Sequence, residues 1–249
     1  MPCRLKLACT LLAFALLGLP VHSNAASDTP VLTFTTEEYP PFNFLNAAGE
    51  IDGTSTRLLR HALSELDAEV EFRLLPWARA YTEARLREDH CVYSTNLTSE
   101  RSPLFQWVGP LEHSDWSAFA LRDSHLQLNS LEELKAFKVG SAHEDAVGIY
   151  VSEQGVPVIN ASRDGENINR LKAGMIDVWV TSSPLASQMA AEQGVVLDNL
   201  FTFNQTQLFL ACHPSVSPSF LARLQAAVDQ VRDSDEFIAE RASMLEPGE

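Results

Sequence analysis

The stretch 69-EVEFRLLPWARAYTEARLREDHCVYS-94 carries the reading of the fold. Residues 69–75 alternate as a strand does, 78–88 return to helical spacing, and 91-CVYS-94 is a second strand-like run. A strand, a helix and a strand in so short a span predict two parallel strands bridged by a crossover helix. Working upstream, 31-VLTFTT-36 is another β-rich run, followed by the turn-like 39-YPPF-42 and the turn 49-GEIDG-53. Leu58, Leu59, Ala62, Leu63 and Leu66 then recur at helical spacing, with Thr54 or Ser55 placed to cap. The βαβαβ order predicts a parallel sheet with helices on its faces.

Working downstream, the theme repeats. Residues 118-AFAL-121 read as strand, and 130-SLEE-133 has the spacing of a capping box that opens a short helix. The strand 137-FKVG-140, a helix over 142–155 closed by Gly155, and the strand 156-VPVI-159 follow. Asp164 is placed to cap a helix over 165–174, and 176-IDVWVT-181 is the next strand. Ser183-Pro184 starts a helix that Gly194 ends, 207-QLFLAC-212 is strand, and Ser217-Pro218 opens a C-terminal helical region. Two βαβ-rich halves predict two α/β lobes joined by two strands, with crossings near 109–117 and 200–207. Residues 26–111 with 207–249 form the expected first lobe and 112–206 the second. Ligands bind in open α/β sheets at the carboxyl ends of the strands, so the cleft between the lobes is the expected site.

The N-terminus has the three parts of a secretory signal peptide: Arg4 and Lys6, the apolar run 7–19, and small residues at 23 and 25 for cleavage after Ala25. A periplasmic protein is expected. Cys9 lies inside the apolar run with Lys6 where an aliphatic residue belongs, which argues against lipid attachment. Removing residues 1–25 takes two of the 18 basic residues and none of the 33 acids, so the charge of −15 becomes −17. That balance excludes nucleic acid and an anionic membrane surface as partners, because both require a basic face. The leader also takes two of the four cysteines. Cys91 and Cys212 remain in apolar strand-like runs, where an oxidising compartment would pair them and where free cysteine also serves as a small hydrophobe.

No metal-binding spacing, nucleophile elbow, phosphate loop or dinucleotide fingerprint is present, and no catalytic residue, cofactor or metal is expected. Binding candidates cluster at three strand ends. Tyr39 and Phe42 flank a Pro-Pro turn, Trp77 follows Pro76, and Ser94, Asn96 and Thr98 follow the third strand. Each has a plainer role too: the aromatics as core, the small polar residues as caps. Arg101 reads either as a surface residue bridging Glu100 or as a planar clamp for a carboxylate. The convergence of aromatic, polar and cationic side chains on one sheet edge favours the clamp.

The ordered set 39-YPPFNFLNAAGEIDG-53, 76-PWARAY-81, 98-TSERSPLFQWVGPL-111 and 137-FKVGSAHEDA-146 resembles the periplasmic solute-binding proteins of family 3, which serve ABC transporters, in a branch marked by PWARAY and FQWVGP. YPPF alone is unspecific; the order and spacing of the set over nearly the whole chain are not. The resemblance implies a two-lobed, type II periplasmic-binding-protein-like fold, a monomer, and an inner-membrane ABC permease as partner. It implies that Tyr39 and Trp77 sandwich the ligand, that Ser94, Asn96 and Arg101 hold its carboxylate, and that Ser141, Ala142 and His143 add a loop from the second lobe. Two departures stand out. Ala142 replaces a usual threonine, and Thr181–Ser182 stand where family members place an aspartate against the ligand's amino group. A second basic residue usual in this branch near Leu97 is also missing. Glu38, Glu144 or Asp145 is then the expected substitute for the acid, or the ligand is another small carboxylate. Two rival readings are a sensory binding protein without a permease and an enzyme on this scaffold resembling cyclohexadienyl dehydratase, which would draw on Glu38, His143 or Glu144.

Overall fold

The computed structural model describes residues 31–66 and 68–245. The expected signal peptide lies outside the described residues. The first half runs β1 (Leu32–Thr36), a hairpin of β2 (Phe44–Leu45) and β3 (Ile51–Asp52), α1 (Thr54–Ser64), β4 (Val70–Leu74), α2 (Trp77–Leu86) and β5 (His90–Asn96). The crossing strand β6 (Gln106–Leu121) leads to β7 (Val139–Ala142), α3 (Ala146–Glu153), β8 (Val158–Ala161), α4 (Glu166–Lys172), β9 (Val178–Ser182) and α5 (Ser183–Glu192). The return strand β10 (Leu197–Cys212) precedes α6 (Pro218–Arg232) and α7 (Asp235–Leu245). Among the described residues, no helix is long and apolar enough to cross a membrane.

All the strands but the β2-β3 hairpin form one mixed sheet in the order β4-β1-β5-β10-β6-β9-β7-β8. β1 is parallel to both β4 and β5, and β7 is parallel to both β8 and β9. Between these parallel triplets, β10 and β6 pair antiparallel along almost their whole length. Each triplet has its own core. Phe34, Leu58, Leu59, Tyr93 and Leu224 pack in one, and Val139, Val147, Val151, Val178 and Val180 in the other. Both cores are apolar layers between strands and helices, the arrangement that buries a parallel sheet.

The crossing strands are longer than the sequence pattern predicts. The expectation placed strand at 118–121 and 207–212, whereas β6 and β10 each run 16 residues. Their middle sections, such as 112-EHSD-115 and 204-NQTQ-207, lack apolar alternation because they bridge the two cores. The ladder between them, with Ser114 opposite Thr206 and Asp115 opposite Gln205, holds them extended.

Two expected caps are corrected. Neither Thr54 nor Ser55 caps α1; the cap position is Gly53, at φ 119°, and it offers no side chain. The Pro-Pro turn does the work instead: Pro41 O accepts from Thr54 N and Phe42 O from Ser55 N, each at 3.0 Å. A Cβ on Gly53 would stand 2.3 Å from Phe42 O, so this close approach requires glycine. Asp164 likewise does not cap α4, whose cap position is Gly165. Its carboxylate turns toward β9. Ser182 and Ser217, by contrast, cap α5 and α6 with Pro at the first helical turn. Cys91 and Cys212 are disulfide-bonded, tying β5 to β10 across a separation of 121 residues.

Candidate functional site

A hollow opens where the two parallel triplets face each other. It measures about 320 Å³ and is walled by Tyr39 and Trp77 on one side and by Ala142, His143 and the 160–164 loop on the other. Tyr39 reaches it because the Pro-Pro turn folds back after β1: Tyr39 O accepts from Phe42 N and Asn43 N, and the Phe42 ring lies edge-on at 5.2 Å. Burial, then the charge of Asp145, keeps the Tyr39 hydroxyl protonated well beyond its ordinary range, with Ser182 and Ser114 beside it. Trp77 reaches the hollow as the first residue of α2, set there by the extended Pro76.

Arg101 is buried and does not line this hollow. Its guanidinium lies 5.2 Å from the Trp77 ring centre and 5.1 Å from that of Tyr81, a cation against two aromatic rings that themselves lie 5.6 Å apart. Its Nη2 donates to the Glu144 carbonyl at 3.1 Å, and Trp77 Nε1 donates to the same oxygen at 3.0 Å. One backbone carbonyl of the second half thus receives two donors from the first. Beyond Arg101 lies a smaller hollow of about 220 Å³, which Thr98, Trp116, Tyr150 and Asn204 also line.

The remaining sequence-predicted residues are placed as follows. Ala142 and His143 line the larger hollow. Ser94, at φ 57°, and Asn96 are buried in β5, with Ser94 Oγ and Asn96 Oδ1 unpartnered. Ser141 is buried and donates to Val180 O at 3.2 Å, back into the sheet. Ser182 accepts from Leu185 N as the helix cap. The structure therefore brings Tyr39, Trp77, Ala142 and His143 to one cavity, sets Arg101 behind Trp77, and keeps Ser94, Asn96, Ser141 and Ser182 off its lining.

Four carboxylates line the hollow, two of which the sequence reading did not name as ligand groups. Glu38 and Asp145, both named as substitutes for the missing aspartate, line the hollow, and Glu37 and Asp164 join them. Asp164 accepts from Trp179 Nε1 at 2.8 Å, from Asn167 Nδ2 at 3.1 Å and from the Thr181 hydroxyl. It thereby brings an acid against Thr181, one of the two positions where an acid was missing from the sequence. Burial, followed by the charge of Asp145, pushes its pKa up to about 7. Asp145 caps α3, accepting from Val147 N at 3.2 Å. Burial also raises its pKa, opposed by Arg101 and the backbone N–H groups of the helix start. Glu37 is raised by burial first and then by Asp145 and Asp164. These side chains retain some surface, but that surface faces an inner hollow rather than open solvent, so desolvation dominates.

A histidine kinase sensor domain described as similar to periplasmic binding proteins superposes with a TM-score of 0.80 at 20% identity, covering 88% of this chain and 98% of that one. A mutant arginine-binding protein of T. maritima gives 0.75 at 18%, covering 84% and 92%. An amino acid ABC transporter substrate-binding protein of Streptococcus pneumoniae, bound to L-arginine, gives 0.76 at 16%, covering 86% and 94%. At such identities the likeness is one of fold: the two-lobed periplasmic-binding-protein-like architecture is present. No curated protein matches the chain. The sequence profile that matches spans residues 32–240, from the first strand into the last helix and so through every wall of the cleft, and by it the chain belongs to the bacterial extracellular solute-binding proteins, family 3.

Proposed function

We propose that this protein binds a small amino-acid-type solute in the cleft between two lobes, in the periplasm, and presents it to an ABC permease. The observation that carries the reading is the cavity itself, with Tyr39 and Trp77 on one wall facing Ala142, His143 and Asp145 on the other. Its size lies at the low end for small-molecule sites, about 300–1,000 Å³, which suits a solute of amino-acid dimensions. Lobes bounded near residues 112 and 206 would close by rotation about β6 and β10, the only long strands shared between the parallel triplets among the described residues. Arg101 would hold the solute's carboxylate, exchanging its bond to the Glu144 carbonyl for the ligand, and Ser94 and Asn96 would complete that end. The protein works as a monomer and without a cofactor, and it binds its solute without turning it over.

A thermal-shift screen of amino acids, amines and small carboxylates tests the reading. One of them is expected to stabilise the protein increasingly with concentration, by about 2.7 kcal/mol at a hundredfold excess over Kd. That stabilisation should disappear in Trp77→Ala and in Arg101→Ala. A screen without a single concentration-dependent hit, or variants stabilised as much as wild type, would overturn it. The sensor-domain likeness favours a second reading, in which the same binding event drives a signalling partner. Loss of solute uptake in a deletion strain separates transport from signalling.

A further inference from the structure

The cleft holds an excess of negative charge that its cations do not balance. Glu37 extends from the end of β1, Asp145 from the start of α3 and Asp164 from the loop before α4, so three separate elements deliver acids to one cavity. The sole buried cation among these groups is Arg101, and it is engaged by two aromatic faces and by the Glu144 carbonyl. The rim does not redress the balance. Arg163 is exposed and turned to Glu166 at 3.3 Å, and His143 is exposed and 3.8 Å from Glu144. Glu38, also on the rim, adds a further acid.

Like charges brought together in a desolvated space destabilise one another, and a fold keeps them only if protons or a counter-ion join them. The donors around these acids favour the ionised form. Asp164 accepts from an indole, an amide and a hydroxyl, and Asp145 accepts from a helix N–H. Among the described residues, no group of His, Cys, Asp and Glu side chains is arranged to hold a metal ion. The cavity walls add the faces of Tyr39 and Trp77, which also attract cations.

We propose that the cleft selects a small organic cation of net positive charge, an amine or a guanidinium, whose cationic group sits among Glu37, Asp145 and Asp164. The inference rests on the solute-binding reading and names the substrate class for the same site. A carboxylate elsewhere on the ligand is compatible with Arg101, provided the ligand's net charge stays positive. Burial raises all three carboxyls above their ordinary range, Asp164 to about 7, so the arriving cation drives a proton off. Binding therefore tightens as pH rises from 5 to 8, by up to about tenfold per pH unit for each proton released.

Isothermal titration of the purified protein with L-arginine, L-lysine, agmatine and putrescine, against L-glutamine, L-glutamate and succinate, tests the inference. At least one cation should bind at least tenfold more tightly than all three others. Its binding enthalpy should differ between phosphate and Tris buffers at pH 7, reporting proton release. Glu37→Gln and Asp164→Asn, nearly isosteric changes, should each weaken that cation tenfold or more and reduce the proton released. If L-glutamine, L-glutamate or succinate binds as well as every cation, the charge inference fails while the solute-binding reading stands. If nothing binds, both fail.

Discussion

Replacing Asp164 with asparagine should make the ligand-free protein more stable at pH 8 while weakening its function. The carboxyl has an ordinary pKa of 3.8 and one of about 7 in the fold. The folded protein therefore holds this proton more tightly than the unfolded chain does, and stability falls as pH rises from about 4 to 7. About three pH units at 1.36 kcal/mol each set an upper bound near 4 kcal/mol, part of which belongs to the charge of Asp145. Asparagine removes the charge and keeps the shape. Its oxygen accepts from Trp179 Nε1, and its amide faces a Thr181 hydroxyl that accepts as readily as it donates. The variant should gain about 2–4 kcal/mol at pH 8, or roughly 4–16 °C in melting temperature, and gain nothing at pH 4. Calorimetric melts of both proteins across pH 4–8 measure this directly. A variant no more stable than wild type at pH 8, or a difference that does not change with pH, would refute the account of a desolvated acid cluster.

Three further outcomes follow from the fold. Replacing both Cys91 and Cys212 with serine releases a cross-link spanning 121 residues, and should cost about 4–5 kcal/mol in urea melts. Gly53→Ala should cost at least about 1–3 kcal/mol, because alanine disfavours the backbone at φ 119° and its Cβ meets the Phe42 carbonyl. Equal urea midpoints for this variant and wild type would mean the turn yields freely. Arg101→Lys should retain charge yet lose most of the ligand-induced stabilisation, since an ammonium cannot lie flat against Trp77 and Tyr81 while donating sideways to Glu144.

Where local patterning decides structure, the sequence was readable. The βαβ unit at 69–94 appears as β4, α2 and β5, and Ser-Pro pairs open α5 and α6. Glu133 also reaches back to Ser130 N at 3.1 Å, although the element it starts is a single 3-10 turn over Glu133–Ala136. What escaped the sequence depends on long-range register. The polar middles of β6 and β10 are strands only because each pairs with the other. Asp164 looked like a helix cap, since an acid just before a helix usually is one. Its true partners, Trp179 and Thr181, lie on β9 and reach it only after the second sheet triplet assembles. Glu37 was passed over beside Glu38, yet both follow β1 and both line the hollow. Tyr39 and Trp77 were legible as candidates because proline fixes the turn before or after each.

The double acceptor at Glu144 has a consequence for how variation at this position should be judged. The atom that receives Trp77 and Arg101 belongs to the main chain, so exchanging the side chain leaves it in place. Residue 144 adopts φ 59°, a conformation that asparagine and glycine tolerate better than glutamate does. Relatives carrying Asn or Gly there would keep the same tie across the cleft while appearing to have discarded a charged residue. An alanine scan would pass over the position for the same reason. The contact is encoded in the curvature of the chain, and a sequence comparison that scores side chains alone would not detect it.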